Sequence, residues 1–409
     1  MKKIYIYSIL FGSSLGYSSL YIFHFFVPFV VFLLSYGLYK NQFKINKNLF
    51  LLGVLYIIIL FSYFFSEYHD LYLNYILYVS LSFLVLISIY FLTIRDYRLV
   101  LRIFIIFSYL QLFFGLMESF NIIRLPFSPY SPYAEFFGKN TDYILDWSKS
   151  IMEYNLSKPT GFSGNPNTFG FVALLFAPLL CFYFKNIVYK ILFSFGFLIL
   201  FIKIDSKSLF FCYIFCFFLY YFQCNKVKIL LVILSIIILI SLTSTLKVET
   251  DARIFTIFDE ISKGLSMIFS NPHDINLESS TGFRAYLYST GINKFIESKG
   301  LGLGIGGIES YLYETFGHRT AFHNFFLQIL VDLGVVGFLI FMFFYLKLIY
   351  NLWRSDSMLS NDINHISKIL MVIVICAIFS SIAPSGIFYC LPFWAILGFA
   401  LGIVYLKKI

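Results

Sequence analysis

Apolar runs, each long enough to cross a bilayer as a helix, recur from one end of this 409-residue chain to the other. A hydrocarbon core of roughly 30 Å takes about 20 apolar residues in a helix. Hydrophobic residues make up 60% of the chain and charged residues only 12%, more apolar surface than a soluble core absorbs. Backbone amides in lipid must be satisfied within the spanning structure, and the runs lack the period-two alternation of barrel strands. The expected fold is therefore all-α, a polytopic membrane protein. The 54 Phe and 32 Tyr are ordinary filler for spans and their interfaces and identify no ligand.

Spans are predicted near residues 4–20, 22–39, 49–66, 73–93, 100–120, 167–184, 190–204, 209–222, 229–246, 323–346, 368–388 and 390–406, about 12 transmembrane helices in one integral-membrane unit, 1–409. Gly12-Ser13-Ser14 and Gly16 are all that divide the first pair. Two hydrophilic segments break the rhythm, 121–166 and 247–321. Loops of that length are uncommon unless functional or disordered. Neither is low-complexity, and the second holds amphipathic stretches from Arg253 to Phe269 and from Arg284 to Ile296, so packed helices at the membrane surface are expected there.

Short cytoplasmic loops retain lysine and arginine. With the N-terminus inside, more than half of the 30 basic residues fall on the inner side, among them Lys2, Lys3, Lys40, Arg95, Arg98, Arg102, Lys185, Lys347, Lys368 and Lys407, against only Asp96, Asp356 and Asp362. Both termini are then cytoplasmic and both large loops extracytoplasmic. The net charge of +9 reflects insertion, with no basic tract or fold signature for nucleic acid. Lys2-Lys3 before an apolar run resembles a signal peptide, but no small-residue cleavage site closes it, so it reads as a retained span. The six cysteines lie in or beside spans, and neither disulfides nor a Cys-based metal site is expected.

A few charges and turns break this pattern. Lys203 and Lys207 flank Asp205 at the outer end of a span; their spacing puts them on one helix face. They either snorkel to water, with Asp205 paired to one of them, or serve a site, since ions at such depth are costly. Lys158 to Asn167 reads as a turn and helix cap, which leaves Lys158 unexplained. Arg284 opens an amphipathic stretch that runs toward Gly300-Leu301-Gly302-Leu303-Gly304-Ile305-Gly306-Gly307. Gly302, Gly304 and Gly307 satisfy a dinucleotide fingerprint in form only, because no βαβ unit surrounds them; a tight turn or a close backbone approach suits them better. Arg319 and His323 share a face if the next helix starts early. His323 is either an interfacial cap or a base, its helix-start position favouring a neutral imidazole and bound anions.

His323-Asn324-Phe325-Phe326 with Asp332-Leu333-Gly334-Val335-Val336-Gly337, preceded by Gly300 to Gly304 and by Arg284, resembles the signature of the O-antigen polymerase and O-antigen ligase superfamily. Lys158 to Asn167 resembles that family's Gly-Asn-Pro-Asn motif, and Asp205-Ser206-Lys207-Ser208 its Ser-Arg motif. The resemblance covers about 158–340. It implies a metal-independent glycosyltransferase without cofactor, acting on an undecaprenyl-diphosphate-linked glycan at the outer face of the bacterial inner membrane. In that reading His323 deprotonates the acceptor hydroxyl and Arg284 binds the diphosphate. Asn324, Gly302, Gly304, Asn165 and Asn167 belong to the supporting motifs. Lys158 and Lys207 stand where the family carries arginine, and a lysine offers a point charge in place of a bidentate fork. Lys203, Arg319 and Arg253 are chosen for sign and side. The Phe/Tyr/Ile-rich sequence resembles the polymerases, which would work alongside a flippase and a chain-length regulator in lipopolysaccharide or capsule assembly; the alternatives are a ligase onto lipid A core or a flippase of lipid-linked sugars.

Overall fold

A computed structural model describes residues 1–14, 16–17, 20–39, 47–139, 154–224, 280–354 and 361–407. The described residues form helices joined by turns, with one two-stranded hairpin. The helices are α1 (Lys2–Phe11), α2 (Ile22–Tyr39), α3 (Lys47–Phe61), α4 (Tyr72–Ser119), α5 (Pro166–Tyr183), α6 (Ile187–Ile204), α7 (Lys207–Cys224), α8 (Ser280–Glu297), α9 (Gly307–Phe316), α10 (Phe325–Trp353), α11 (Asn361–Ser380) and α12 (Leu391–Leu406). Six helical stretches are long and apolar enough to cross a membrane, namely 48–65, α4, α5, α6, α10 and α11. The chain is an all-α polytopic membrane protein. The predicted span 229–246 and the stretch from Arg253 to Phe269 lie outside the described residues.

Helix α4 contains two predicted spans. Asp96 breaks it with φ −158° and ψ 78°, and its carboxylate accepts the Leu99 N–H at 3.0 Å, capping the second half. Both ends of α4 reach one end of the bundle: the Leu71 N–H meets Ser310 Oγ, and Glu118 receives the Thr160 N–H. At the opposite end Lys407 donates to the carbonyls of Asn351, Leu352 and Arg354, which closes the C-terminus of α10.

The first predicted span, 4–20, is shorter than expected. Helix α1 stops at Phe11 because Gly12 turns to φ 38°, and β1 (Gly16–Tyr17) then pairs antiparallel with β2 (Leu20–Tyr21). Ten helical residues cover only about 15 Å, half a bilayer.

Close packing of α12 against α4 rests on Gly398 and Gly402, four residues apart on one face. A Cβ on Gly398 would collide with the Leu86 carbonyl oxygen, and one on Gly402 would lie 2.5 Å from Thr93 Cβ. Small residues at this spacing let helix backbones approach in the absence of a hydrophobic driving force between spans. The helix break at Gly334 in α10 (φ 69°, ψ −175°) is the other departure from regular geometry, and it positions the loop that carries the site.

Gly398→Ala is expected to destabilise by about 1–3 kcal/mol, because the methyl must displace backbone. Gly53→Ala, with nothing within 4 Å of the added carbon, should be neutral or favourable, since Ala is the better helix former. Thermal unfolding in detergent, with membrane abundance, reads the difference in sign.

Candidate functional site

The glycine run is a turn clasped onto α10. Breaking the helix at Gly334 frees carbonyls on Val331 and Asp332, which take the N–H groups of Leu303 (3.0 Å) and Gly304 (2.8 Å), while the Val335 N–H reaches Gly300 O at 3.0 Å. Gly302 and Gly304 have φ +89° and +81°, where a side chain is strained. A Cβ on Gly302 would stand 2.6 Å from the Asp332 carbonyl oxygen. The close approach is therefore to the protein's own backbone. The Asp332 side chain, fully buried, accepts the Gly306 and Ile308 N–H groups at 3.0 Å each. That makes it an external N-cap for α9, its side-chain oxygens taking two of the amides at the helix start.

His323 lies just ahead of α10, which Asn324 caps through its side-chain oxygen and the Leu327 N–H at 3.1 Å. Because α10 begins at Phe325, Arg319 and His323 do not share a helix face. His323 has φ +58°, a conformation costly for a residue with a side chain. The chain around it is held at two points: the Tyr288 hydroxyl donates to the His323 carbonyl at 2.8 Å, and the N–H of the preceding residue, Phe322, donates to Glu309 at 3.2 Å. Among the described residues His323 Nδ1 is buried with no hydrogen-bond partner. Burial and then the Arg284 charge push its pKa down to about 4, opposed by a contact with the Pro384 backbone. Burial and Arg284, not the helix start, are thus what disfavour the charged ring. Arg284 and Tyr288 lie four residues apart on α8, on one face, so that helix brings the guanidinium and the imidazole's support to the same place.

The Lys158 to Asn167 segment is folded around another buried carboxylate, Glu118. It accepts the N–H groups of Thr160 (2.8 Å), Gly161 (2.7 Å) and Leu125 (3.1 Å), with Arg124 at 3.9 Å. Asn165 caps α5 by accepting the Thr168 N–H at 2.8 Å, and its amide nitrogen donates to Ser385 Oγ at 3.1 Å. Asn167 is half-buried in the first turn. Ser385 follows Pro384, the residue beside His323, so the two motif regions meet across the α11–α12 turn.

The lysines are placed differently from expectation. Lys203 ends α6 and Lys207 starts α7, because Asp205 turns the chain between them with φ +58°; they sit on separate helices, both exposed. Asp205 pairs with Lys158 at 3.7 Å and accepts the Tyr154 hydroxyl, while Lys158 also lies 3.9 Å from the Tyr154 ring centre. Lys203 stands over Phe120. Arg319, exposed, donates to the Tyr78 hydroxyl at 3.4 Å and faces Glu309. Of these lysines Lys158 is the one paired with Asp205, and the link toward His323 runs through Asn165 and the 384–385 turn. Arg253 lies outside the described residues.

The sequence reading passed over Glu118, Glu309 and the role of Asp332. Glu118 and Asp332 each stand in an apolar run, and an ionisable group there is a functional signal in itself. Glu309 had a weaker signal, an acid in the first turn after the glycine run. Tyr288 had none among so many tyrosines.

The depressed His323 value fixes a pH dependence. Between about pH 4 and the ordinary value near 6.5 the unfolded chain binds the extra proton, so this residue's contribution to stability is complete above 6.5 and is lost as pH falls toward 4. His323→Gln should flatten that slope relative to wild type, measured as melting temperature against pH. Parallel slopes would contradict a buried imidazole in the field of Arg284.

No curated protein matches this chain. The family model described as O-antigen ligase (Wzy_C) matches residues 191–342, a span that holds Lys203, Lys207, Arg284, the glycine turn, His323 and Asp332. The match supports the O-antigen polymerase and ligase superfamily for this chain.

Proposed function

We propose that this protein is a metal-independent membrane glycosyltransferase that joins undecaprenyl-diphosphate-linked oligosaccharide repeat units into O-antigen or capsular polysaccharide at the outer face of the bacterial inner membrane. The observation that carries the reading is a neutral, buried imidazole with a free Nδ1 beside the Arg284 charge. A neutral imidazole carries one lone-pair nitrogen, and the base role falls to it. That nitrogen takes the proton of an acceptor sugar hydroxyl as its oxygen attacks the donor's anomeric carbon. The bond from that carbon to the diphosphate breaks, the lipid diphosphate leaves with the electron pair, and the proton returns to solvent.

Arg284 binds the diphosphate, where a guanidinium offers two parallel donors to phosphate oxygens. Lys203 and Lys207, exposed at the same end of the bundle, supply point charges for the same anion. Lys158 is already paired with Asp205 and contributes to holding the loop. Arg319 is a weaker contact, given its attachments to Tyr78 and Glu309. Membrane lipid surrounds the spans, both termini face the cytoplasm, and a flippase and chain-length regulator are the expected protein partners.

The family match is described as O-antigen ligase, which favours as the second reading a transfer of lipid-linked glycan to lipid A core or another acceptor. A flippase is a third; the charged residues gather at one end of the bundle, whereas transporters hold their sites near the midplane.

Glycan from a deletion strain, wild type and His323→Ala, at matched membrane abundance, tests the reading. A missing general base should lower the rate by roughly 10²–10⁴. Single repeat units attached to the final carrier identify a polymerase, and unattached lipid-linked polymer a ligase. Normal glycan from His323→Ala would overturn the base assignment.

A further inference from the structure

Glu309 is a buried carboxylate that the chemistry above does not use. It stands in the first turn of α9, 3% exposed, and burial holds its pKa above the usual carboxylate value. The Phe322 N–H donates to it at 3.2 Å. Tyr75 at the start of α4 and Gln328 on α10 are electrostatic neighbours of the carboxylate, and the Gln328 amide donates to the Tyr75 hydroxyl at 3.1 Å.

The Phe322 N–H belongs to the Ala321–Phe322 peptide, one ahead of the peptide that enters His323. The peptide that leaves His323 is held by the Tyr288 hydroxyl on the His323 carbonyl. Phe322 itself is fully buried, its ring against Gly291 of α8, where an added Cβ would lie 2.6 Å from it, and edge-on to Tyr288. A positive φ at a histidine survives only when its surroundings over-determine it, and here two side chains hold the chain just ahead of His323 and just after it. Neither touches the reacting atoms.

We infer that Glu309 and Tyr288 are positioning residues that clamp the Ala321–Phe322 and His323–Asn324 peptides, bracketing His323, and so set the aim of its imidazole. Tyr288 shares its helix face with Arg284, so the same clamp fixes the distance between base and diphosphate-binding cation. This rests on the glycosyltransferase reading and adds to it the residues that hold its geometry. Carboxylate charge is not what the clamp needs: an oxygen acceptor for the Phe322 N–H is enough.

The test uses the full-length protein, purified in detergent, with the host's own lipid-linked repeat unit extracted from membranes as substrate. Tyr288→Phe and Glu309→Ala should lower kcat roughly 10–100-fold, the range expected for a base displaced by about an ångström, with KM unchanged. Glu309→Gln keeps an oxygen acceptor and should recover most of that loss. Unchanged kcat in Tyr288→Phe and Glu309→Ala, a loss confined to KM, or a glutamine variant no better than alanine would each overturn the inference. If Glu309→Ala fails to fold, Tyr288→Phe, which removes a single hydroxyl, decides. His323→Ala separates the two levels: an active His323→Ala defeats the function itself, whereas an inactive one beside fully active clamp variants defeats only the clamp.

Discussion

The Asp332 carboxylate, sealed inside an apolar helix, is the group to which the rest of the site answers. An ionisable side chain at such depth is tolerated only with partners, and the partners available are the N–H groups of Gly306 and Ile308. Taking them brings the glycine turn against α10, which requires glycine at Gly302 and Gly304 and a break in α10 at Gly334. The break in turn exposes the carbonyls that the turn's other amides need. Each element of this clasp supplies the hydrogen-bond partner another element lacks. Its consequence is that α9 starts at a fixed place, so that Glu309 reaches the N–H of Phe322, the residue before His323.

Glu118 repeats the device on the other motif. There, too, a buried carboxylate gathers backbone amides from a loop, and the loop ends in an asparagine that caps a spanning helix. Backbone donors are fixed in position by the chain itself, so satisfying these carboxylates with amides in place of paired lysines leaves cations such as Arg284, Lys203 and Lys207 exposed or half-exposed. Lys158 is drawn into a pair with Asp205. The two carboxylates thus build the scaffold, and much of the positive charge is left for the surface the scaffold displays.

Hydropathy made most of the spans legible, because a helix in lipid is written as a run of apolar residues of known length. The asparagine cap of α5 could be read from local chemistry, and the amphipathic α8 from its period, whereas the cap of α10 proved to be Asn324 and not His323. What could not be read were interactions between distant residues. Lys203 and Lys207 have helical spacing, yet Asp205 adopts a left-handed conformation between them, and spacing alone does not reveal a turn. Arg319 and His323 looked like helix neighbours only while the start of α10 was placed too early. Tyr288 and Glu309 act through single hydrogen bonds to a peptide many residues away, and a residue's type says nothing about where its hydroxyl or carboxylate will find a partner. Asp332 and Glu118 were the missed signals that sequence did contain, since each is an acid inside an apolar run.

The electrostatics of the site also bear on when the base would work. Burial and Arg284 both disfavour a proton on His323, so the free protein holds the imidazole neutral but weakly basic. On the proposed reading, a diphosphate bound at Arg284 cancels that guanidinium's field, and charges of opposite sign this close in a partly dry site interact far more strongly than in water. The imidazole's proton affinity then rises when the donor is in place, nearer the value at which general-base catalysis is efficient. Burial alone would leave the base weak at all times. A neighbouring cation whose charge the substrate itself neutralises makes the weakness conditional, and it does so without any movement of the clamped backbone.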